Sequence, residues 1–208
     1  MFDVAVGICA LICATPLIGL IAAMLRIASG SPVLFRQTRS GLNGREFVLL
    51  KFRTMHRENS GLGVTQAGDD RVTRLGRLLR ASKLDELPQL VNVLRGDMSV
   101  VGPRPDLPEF WRQTDSASRR VLTLLPGITG AASLVFRNEE ALLANVRPDQ
   151  LSAHYVSVQL PKKAAIDWQY AEHAGFLSDC KLLLRTVIPI AFASRHSSSH
   201  RCYDAVSQ

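Results

Sequence analysis

Leu84-Asp85-Glu86-Leu87-Pro88-Gln89-Leu90-Val91-Asn92-Val93-Leu94 is the stretch around which this chain is organised. Leu87, Leu90, Val91 and Leu94 recur at helical spacing, and Pro88 is tolerated in a first turn. A helix therefore starts here, with Asp85 and Glu86 at or just before its N-terminus. An adjacent acidic pair is ordinarily solvated surface, because unpaired charge is expensive to bury. The flanks argue otherwise: between Ser31 and Arg104, thirteen Lys and Arg stand against seven Asp and Glu, most of the net charge of +7 carried by the whole chain. Such an excess attracts phosphate on a nucleotide, a nucleic acid or an anionic lipid surface. Backbone N–H groups and nearby arginines would keep a carboxylate ionised there. An ionised Asp can attack phosphorus while its neighbour takes a proton-transfer or positioning role, and phosphate beside carboxylates invites Mg²⁺.

Working outward, the pattern from Thr73 is helical, with Leu75, Leu78 and Leu79 on one face and Arg74, Arg77 and Arg80 over neighbouring turns. An amphipathic surface helix fits the same spacing. Residues 33–39 and 47–52 are strand-like and are separated by Ser40-Gly41-Leu42-Asn43-Gly44-Arg45-Glu46, which predicts a β-hairpin. Alternation along the second strand places Lys51 and Arg53 on one face and Phe52 on the other. Residues 58–70, with Gly61, Gly63 and Gly68, read as a loop. Downstream, Val101-Gly102-Pro103-Arg104-Pro105 is a rigid turn able to hold Arg104 toward the acidic pair. Pro126-Gly127-Ile128-Thr129-Gly130 is less specific and fits a connection between two packed segments.

Residues 4–25 carry no charge and end at Arg26. At about 1.5 Å per residue such a run crosses a hydrocarbon core of about 30 Å. Pro16, near its middle, splits it into arms too short to cross alone, and Thr15 can satisfy a carbonyl that the proline frees. Spanning and re-entrant forms both remain open on these grounds; a cleaved signal peptide fits poorly, since no basic residue precedes the run. The arginines after it place the following domain in the cytoplasm. The remaining length suits one compact domain. Cys9, Cys13, Cys180 and Cys202 form no metal-ligand cluster and read as free thiols. Residues 177–192 form an apolar stretch interrupted by Asp179, Lys181 and Arg185, with Leu182, Leu183, Val187, Ile190 and Ala191 forming a core or interfacial face, and residues 194–208 read as a polar tail.

Ser31-Pro32-Val33, Phe35-Arg36-Gln37, Lys51-Phe52-Arg53-Thr54-Met55, Leu84-Asp85-Glu86-Leu87-Pro88-Gln89-Leu90, Asn92-Val93-Leu94-Arg95-Gly96-Asp97-Met98-Ser99 and Val101-Gly102-Pro103-Arg104-Pro105 together resemble the bacterial sugar transferase family of small monotopic phosphoglycosyl transferases. Pro126-Gly127-Ile128-Thr129-Gly130, Asp167, Tyr170 and Asp179 extend the likeness. The resemblance implies an α/β, predominantly helical fold: a re-entrant membrane helix in residues 1–30, broken at Thr15-Pro16, then a catalytic domain in 31–193 on the cytoplasmic face of a bacterial inner membrane. It implies transfer of a sugar 1-phosphate from a nucleotide sugar, usually a UDP-sugar, to polyprenyl phosphate, with UMP released through a covalent aspartyl phosphosugar. On this chain Asp85 is then the nucleophile and a Mg²⁺ ligand, and Glu86 its proton-transfer or positioning partner. Lys51, Arg80 and Arg104 become contacts to donor phosphate or nucleotide. Membrane lipid and downstream glycan-assembly enzymes are the further partners. The chain departs from the family pattern in having only Met1 and Phe2 before Asp3, where a basic group is common.

Two other classes compete. A membrane-anchored basic protein that binds anionic lipid or nucleic acid without catalysis fits the charge but not the acidic pair, and no nucleic-acid motif accompanies it. A transferase that passes the sugar alone and releases a nucleotide diphosphate is the nearest enzymatic competitor.

Overall fold

The computed structural model describes residues 2–56 and 63–192, with the side chains of Phe2 and of residues 187–192 excepted. The tail 194–208, the first part of the glycine-rich loop and the side chains of Val187, Ile190 and Ala191 lie outside the described residues.

Helix α1 (Phe2–Ser29) is followed by strands β1 (Leu34–Ser40) and β2 (Glu46–Phe52). These form the expected antiparallel hairpin, in register from Leu34 opposite Phe52 to Ser40 opposite Glu46. Asn43 takes a left-handed conformation in the connecting turn, as asparagine readily does. Helix α2 (Arg74–Ala81) is capped by the Thr73 hydroxyl, which accepts from the Gly76 N–H at 2.9 Å. A 3-10 turn (Leu84–Glu86) then leads into α3 (Gln89–Arg95), which Gly96 closes at φ 80°. Asn92, fully buried on α3, accepts from the Leu50 N–H at 3.1 Å and donates to the Val48 carbonyl at 2.8 Å. One side chain thereby pairs backbone groups of β2 that no third strand covers.

Beyond α3 lie β3 (Ser99–Val101), α4 (Pro108–Gln113), α5 (Ser116–Arg119) and β4 (Gly127–Thr129), the two strands being parallel. Helices α6 (Ala131–Val135) and α7 (Glu139–Leu142) precede a long helical rod. In that rod α8 (Leu151–His154) passes through a π-helical segment (Tyr155–Gln159) into α9 (Leu160–His173). Pro161 lacks the N–H that would continue regular α pairing, a sufficient cause for the bulge. Helix α10 (Phe176–Phe192) is tied to α9 by Tyr170, which donates to Asp179 at 2.7 Å.

The two Pro/Gly elements that looked independent in sequence are one feature. Gly102 N–H donates to the Thr129 carbonyl at 2.8 Å, and Gly127 N–H donates to the Pro103 carbonyl at 2.9 Å. A Cβ on Gly127 would lie 2.1 Å from the Gly102 nitrogen, and one on Gly102 would lie 2.4 Å from the Leu125 carbonyl oxygen. Backbone atoms cannot swing aside as a side-chain tip can. Gly127→Ala is expected to destabilise the fold by about 3 kcal/mol, seen as a melting temperature lowered by roughly 6–12 °C. A change below about 2 °C in thermal unfolding would mean that the crossing yields without consequence.

Two sequence expectations change. Leu78 does not share the buried face of α2; it is 64% exposed while Leu79 is 3% exposed. Arg53 does not join Lys51, because β2 ends at Phe52 and the guanidinium turns to the carbonyls of Ser29 and Gly30 at the end of α1. Helix α1 carries Pro16 within its length, and the Thr15 hydroxyl donates to the Leu11 carbonyl at 2.7 Å.

Both ends of α1 pack on the same domain. Near its start, Asp3 accepts from the Ser99 hydroxyl at 2.9 Å and the Val100 N–H at 3.2 Å, and Val6 joins Leu49, Val93 and Met98. Near its end, Ile21 and Leu25 are buried against Phe52 and Leu79, with Leu84 and Leu87 at the edge of that cluster. Ile8, Ile12, Leu17, Leu20, Met24 and Ile27 are exposed on the other side.

Candidate active site

Lys83 has a left-handed backbone, φ 58°, and turns the chain from α2 into the Leu84–Glu86 turn. That turn buries both carboxylates: Asp85 is 6% exposed and Glu86 7%. Isolated charges so placed would be untenable, and partners come from two distant segments. Arg104 Nη2 donates to Glu86 Oε1 at 2.9 Å, and Lys51 Nζ donates to the same oxygen at 3.2 Å. Among the described residues no backbone N–H bonds either carboxylate. The expectation that a helix N-terminus would keep the pair ionised is thus replaced by two side-chain cations.

The electrostatics separate the two acids. Burial alone would raise the Glu86 carboxyl, but Arg104, then Lys51 and Lys83, overcome it and hold the group well below the ordinary carboxylate range. Glu86 also keeps the Arg104 guanidinium firmly protonated against its burial. Asp85 moves the other way: burial pushes it up, with Lys51 opposing and the charge of Glu86 adding to the rise. Burial brings Lys51 down to about 8, Glu86 resisting and Arg104 assisting. Asp85 Oδ1 is buried with no hydrogen-bond partner. A buried acceptor left open beside three cations is poised for an incoming electrophile or cation.

Arg80 lies elsewhere. Its Nε donates to Thr54 Oγ1 at 2.9 Å and its Nη1 to Glu140 Oε1 at 3.0 Å. The structure therefore brings Asp85, Glu86, Lys51 and Arg104 into one contact group, and places Arg80 in a second one joining α2 to α7.

Behind Arg104 is a support that the sequence reading missed. Arg39, on β1, donates to the Pro105 carbonyl at 3.4 Å and lies 3.6 Å from the Asp106 carboxylate. The Ser40 N–H donates to the Asp106 carbonyl at 3.0 Å. Tyr155, carried by the π-helical segment, lies 3.0 Å from both carboxylate oxygens of Asp106. Lys163 donates to the Tyr155 hydroxyl at 2.9 Å and pairs with Glu139 at 2.7 Å. This series of contacts fixes the Pro103-Arg104-Pro105 turn through Pro105 and Asp106. Burial, then Asp106, keeps the Tyr155 hydroxyl well above its usual range, so it remains a donor. Asp167 accepts from the Ala132 N–H at 2.8 Å, and burial raises it to about 7. No local signal marks Arg39 or Tyr155; only their long-range partners reveal them.

Among the described residues no three His, Cys, Asp or Glu side chains gather into a metal cage. In the dyad, the buried Oδ1 of Asp85 has no hydrogen-bond partner. That fits a divalent cation held largely by substrate phosphate and water, the usual habit of Mg²⁺.

Comparisons with known proteins identify relatives of the chain. A family model described as bacterial sugar transferase matches residues 1–193. The chain is 43% identical over 180 residues to the UDP-glucose:undecaprenyl-phosphate glucose-1-phosphate transferase of Caulobacter vibrioides, covering 83% of this chain and 61% of that protein. It is 37% identical over 187 residues to the uncharacterized sugar transferase EpsL of Bacillus subtilis, covering 90% and 84%. An undecaprenyl-phosphate glucose phosphotransferase of Komagataeibacter xylinus is 47% identical over 199 residues, covering 89% of this chain and 34% of that protein. The chain thus spans about three fifths of the first of these relatives and about a third of the last.

Proposed function

This chain belongs to the bacterial sugar transferase family, and we propose that it transfers a sugar 1-phosphate from a nucleotide sugar, a UDP-sugar, to polyprenyl phosphate. The observation that carries the reading is the unpartnered, buried oxygen of Asp85 next to a Glu86 clamped by Lys51 and Arg104. A protein that only bound anionic surfaces would gain nothing from burying two acids.

In the first step a carboxylate oxygen of Asp85 attacks the sugar-linked phosphorus. The bond from that phosphorus to the oxygen bridging the diphosphate breaks, and UMP leaves with the electron pair. Lys51 and Arg104 face the oxygens on which charge builds, while Glu86 holds both cations in place and, being ionised, positions rather than donates a proton. In the second step a phosphate oxygen of polyprenyl phosphate attacks the same phosphorus, and the bond to Asp85 breaks. The carboxylate is restored and polyprenyl-diphosphate-linked sugar is released, to be elongated by glycan-assembly enzymes. Mg²⁺ bound at Asp85 and the donor diphosphate would supply charge neutralisation.

The lipid substrate calls for a membrane site. Helix α1 is long and apolar enough to cross a bilayer, yet both its ends contact one domain. A crossing helix would carry those ends to opposite faces. Those contacts support a re-entrant α1 that leaves the dyad at the cytoplasmic face, where nucleotide sugar and lipid phosphate can meet.

The test is full-length protein with a panel of UDP-sugars, polyprenyl phosphate and Mg²⁺, measuring UMP and label retained on the protein. UMP and a labelled protein are expected with one or a few donors. Release of UDP would instead indicate transfer of the sugar alone, and lipid binding with neither nucleotide would indicate a non-catalytic anchor.

The pH dependence follows from Lys51. Its folded value near 8 means that the ammonium is lost as pH rises through about 8, so kcat/KM for the donor is expected to fall above that pH. Lys51→Arg should move the alkaline limb upward by more than one unit, because a guanidinium keeps its proton far into alkali. An unmoved limb would remove Lys51 from this role.

A further inference from the structure

Lys83 is held in a conformation that its side chain disfavours, next to the proposed nucleophile. Among the described residues, Asn43 and Lys83 are the non-glycine positions with positive φ, at 54° and 58°. Asparagine tolerates that region because its short amide bonds to nearby backbone; lysine has no such compensation. The backbone task at this position is to join α2 to the turn of the dyad, with Lys83 N–H donating to the Arg80 carbonyl at 3.1 Å and Glu86 N–H to the Lys83 carbonyl at 3.2 Å. Glycine would perform that task with less strain. What lysine adds is a charge, and strain retained at one such place points to a use for the side chain.

Its surroundings say which use. Lys51 and Arg104 are both engaged on Glu86. The Lys83 side chain is exposed, and among the described residues its ammonium makes no ion pair or side-chain hydrogen bond. The neighbours Leu84 and Leu87 pack against the cluster that holds Ile21 and Leu25 of α1, a helix whose Leu17, Leu20 and Met24 are exposed. Lys83 thus stands where the dyad meets the apolar arm.

We propose that Lys83 binds the phosphate monoester of the lipid acceptor, a role separate from that of Lys51 and Arg104 toward the donor. The inference rests on the transfer reaction above. After UMP departs, the phosphosugar on Asp85 is an anion and the acceptor phosphate is another, so their approach requires a cation that is open on the lipid side. A flexible, compact ammonium suits a monoester that arrives on a mobile chain. Lys83 gains and loses no proton in the step; it contributes charge while the acceptor oxygen bonds to phosphorus and the Asp85 ester bond breaks.

Full-length Lys83→Gln, Lys83→Arg and Lys83→Gly test this in lipid nanodiscs with a UDP-sugar and polyprenyl phosphate. Lys83→Gln should raise the acceptor KM about tenfold, the worth of one charge-assisted hydrogen bond, with the donor KM moving less than about threefold. Lys83→Arg should restore most of the acceptor affinity. Lys83→Gly should raise the melting temperature by about 2–4 °C yet raise the acceptor KM like Gln, so that stability and function move in opposite directions. An unchanged acceptor KM in the Gln and Gly variants, or a donor KM that rises in step with it, overturns the assignment. A wild type that forms no UMP overturns the transfer reaction itself and this inference with it, whereas a wild type that forms UMP beside an unaffected Lys83→Gln overturns this inference alone.

Discussion

Asp85→Asn is expected to lower turnover by at least about 10³-fold, the scale of losing a covalent nucleophile, and to leave no label on the protein after incubation with donor alone. Asparagine keeps the shape of the side chain but has no anionic oxygen to form the ester. The same substitution should not destabilise the fold. Asp85 lies above its ordinary value because burial disfavours its charge, so at neutral pH the folded state carries a penalty that the unfolded state lacks. Removing that charge removes the penalty. The expected signature is therefore an inactive protein whose melting temperature is equal to or above that of the wild type. Unchanged turnover would take the nucleophilic role away from Asp85; lost turnover with a much lower melting temperature would show that the residue is structural.

Glu86→Gln is expected to harm both activity and stability. The wild-type carboxylate balances two partly buried cations through one oxygen, and the amide leaves Lys51 and Arg104 facing each other without that charge. Breaking a buried pair by removing one partner costs about 3 kcal/mol, and loss of the aligned cations should lower kcat roughly 100-fold. The sign of the pH dependence is fixed by the direction of the Glu86 shift. Its folded value is depressed, so its contribution is fully present above the ordinary value of 4.5 and is lost as pH falls through the folded value. The gap in unfolding free energy between wild type and Glu86→Gln should accordingly be widest near pH 7 and shrink below about 4.5. Lys51 should also surrender its proton more easily in the variant, moving the alkaline limb of activity below about 8. A gap that stays constant from pH 7 into acid would refute the charge-balancing role.

The hairpin was legible because alternation and turn chemistry act between near neighbours; Leu34 to Phe52 behaves as that pattern predicts. The start of α3 was legible for the same reason, since Pro88 and the spacing of Leu90 and Val91 need no distant partner. Leu78 misled, because helical spacing shows which residues share a face but not how wide a face the rest of the molecule will cover. Arg53 misled because its strand stops one residue earlier, freeing it to reach the end of α1. Among the site residues, Asp85 and Glu86 stood out as chemically improbable in an apolar setting, and Arg104 as a charge in a rigid turn. Arg39 and Tyr155 carried no comparable mark, since an arginine in a strand and a tyrosine in a helix are ordinary.

What the sequence determined by itself is a set of short-range facts: an apolar N-terminal helix, a hairpin, a carboxylate pair before a helix, and an excess of cations around it. What only the tertiary structure decided is the pairing among those charges. Glu86 chooses Lys51 from 35 residues upstream and Arg104 from 18 residues downstream, while Arg80, nearer in sequence, goes to Glu140. Coulomb attraction is not directional enough to specify such partners along an unfolded chain, where water screens every candidate alike. Selection comes from packing: Asn92 fixing β2 on α3 and the Gly102–Gly127 crossing fixing the Arg104 turn bring two cations to one buried oxygen, and burial then makes that arrangement electrostatically decisive.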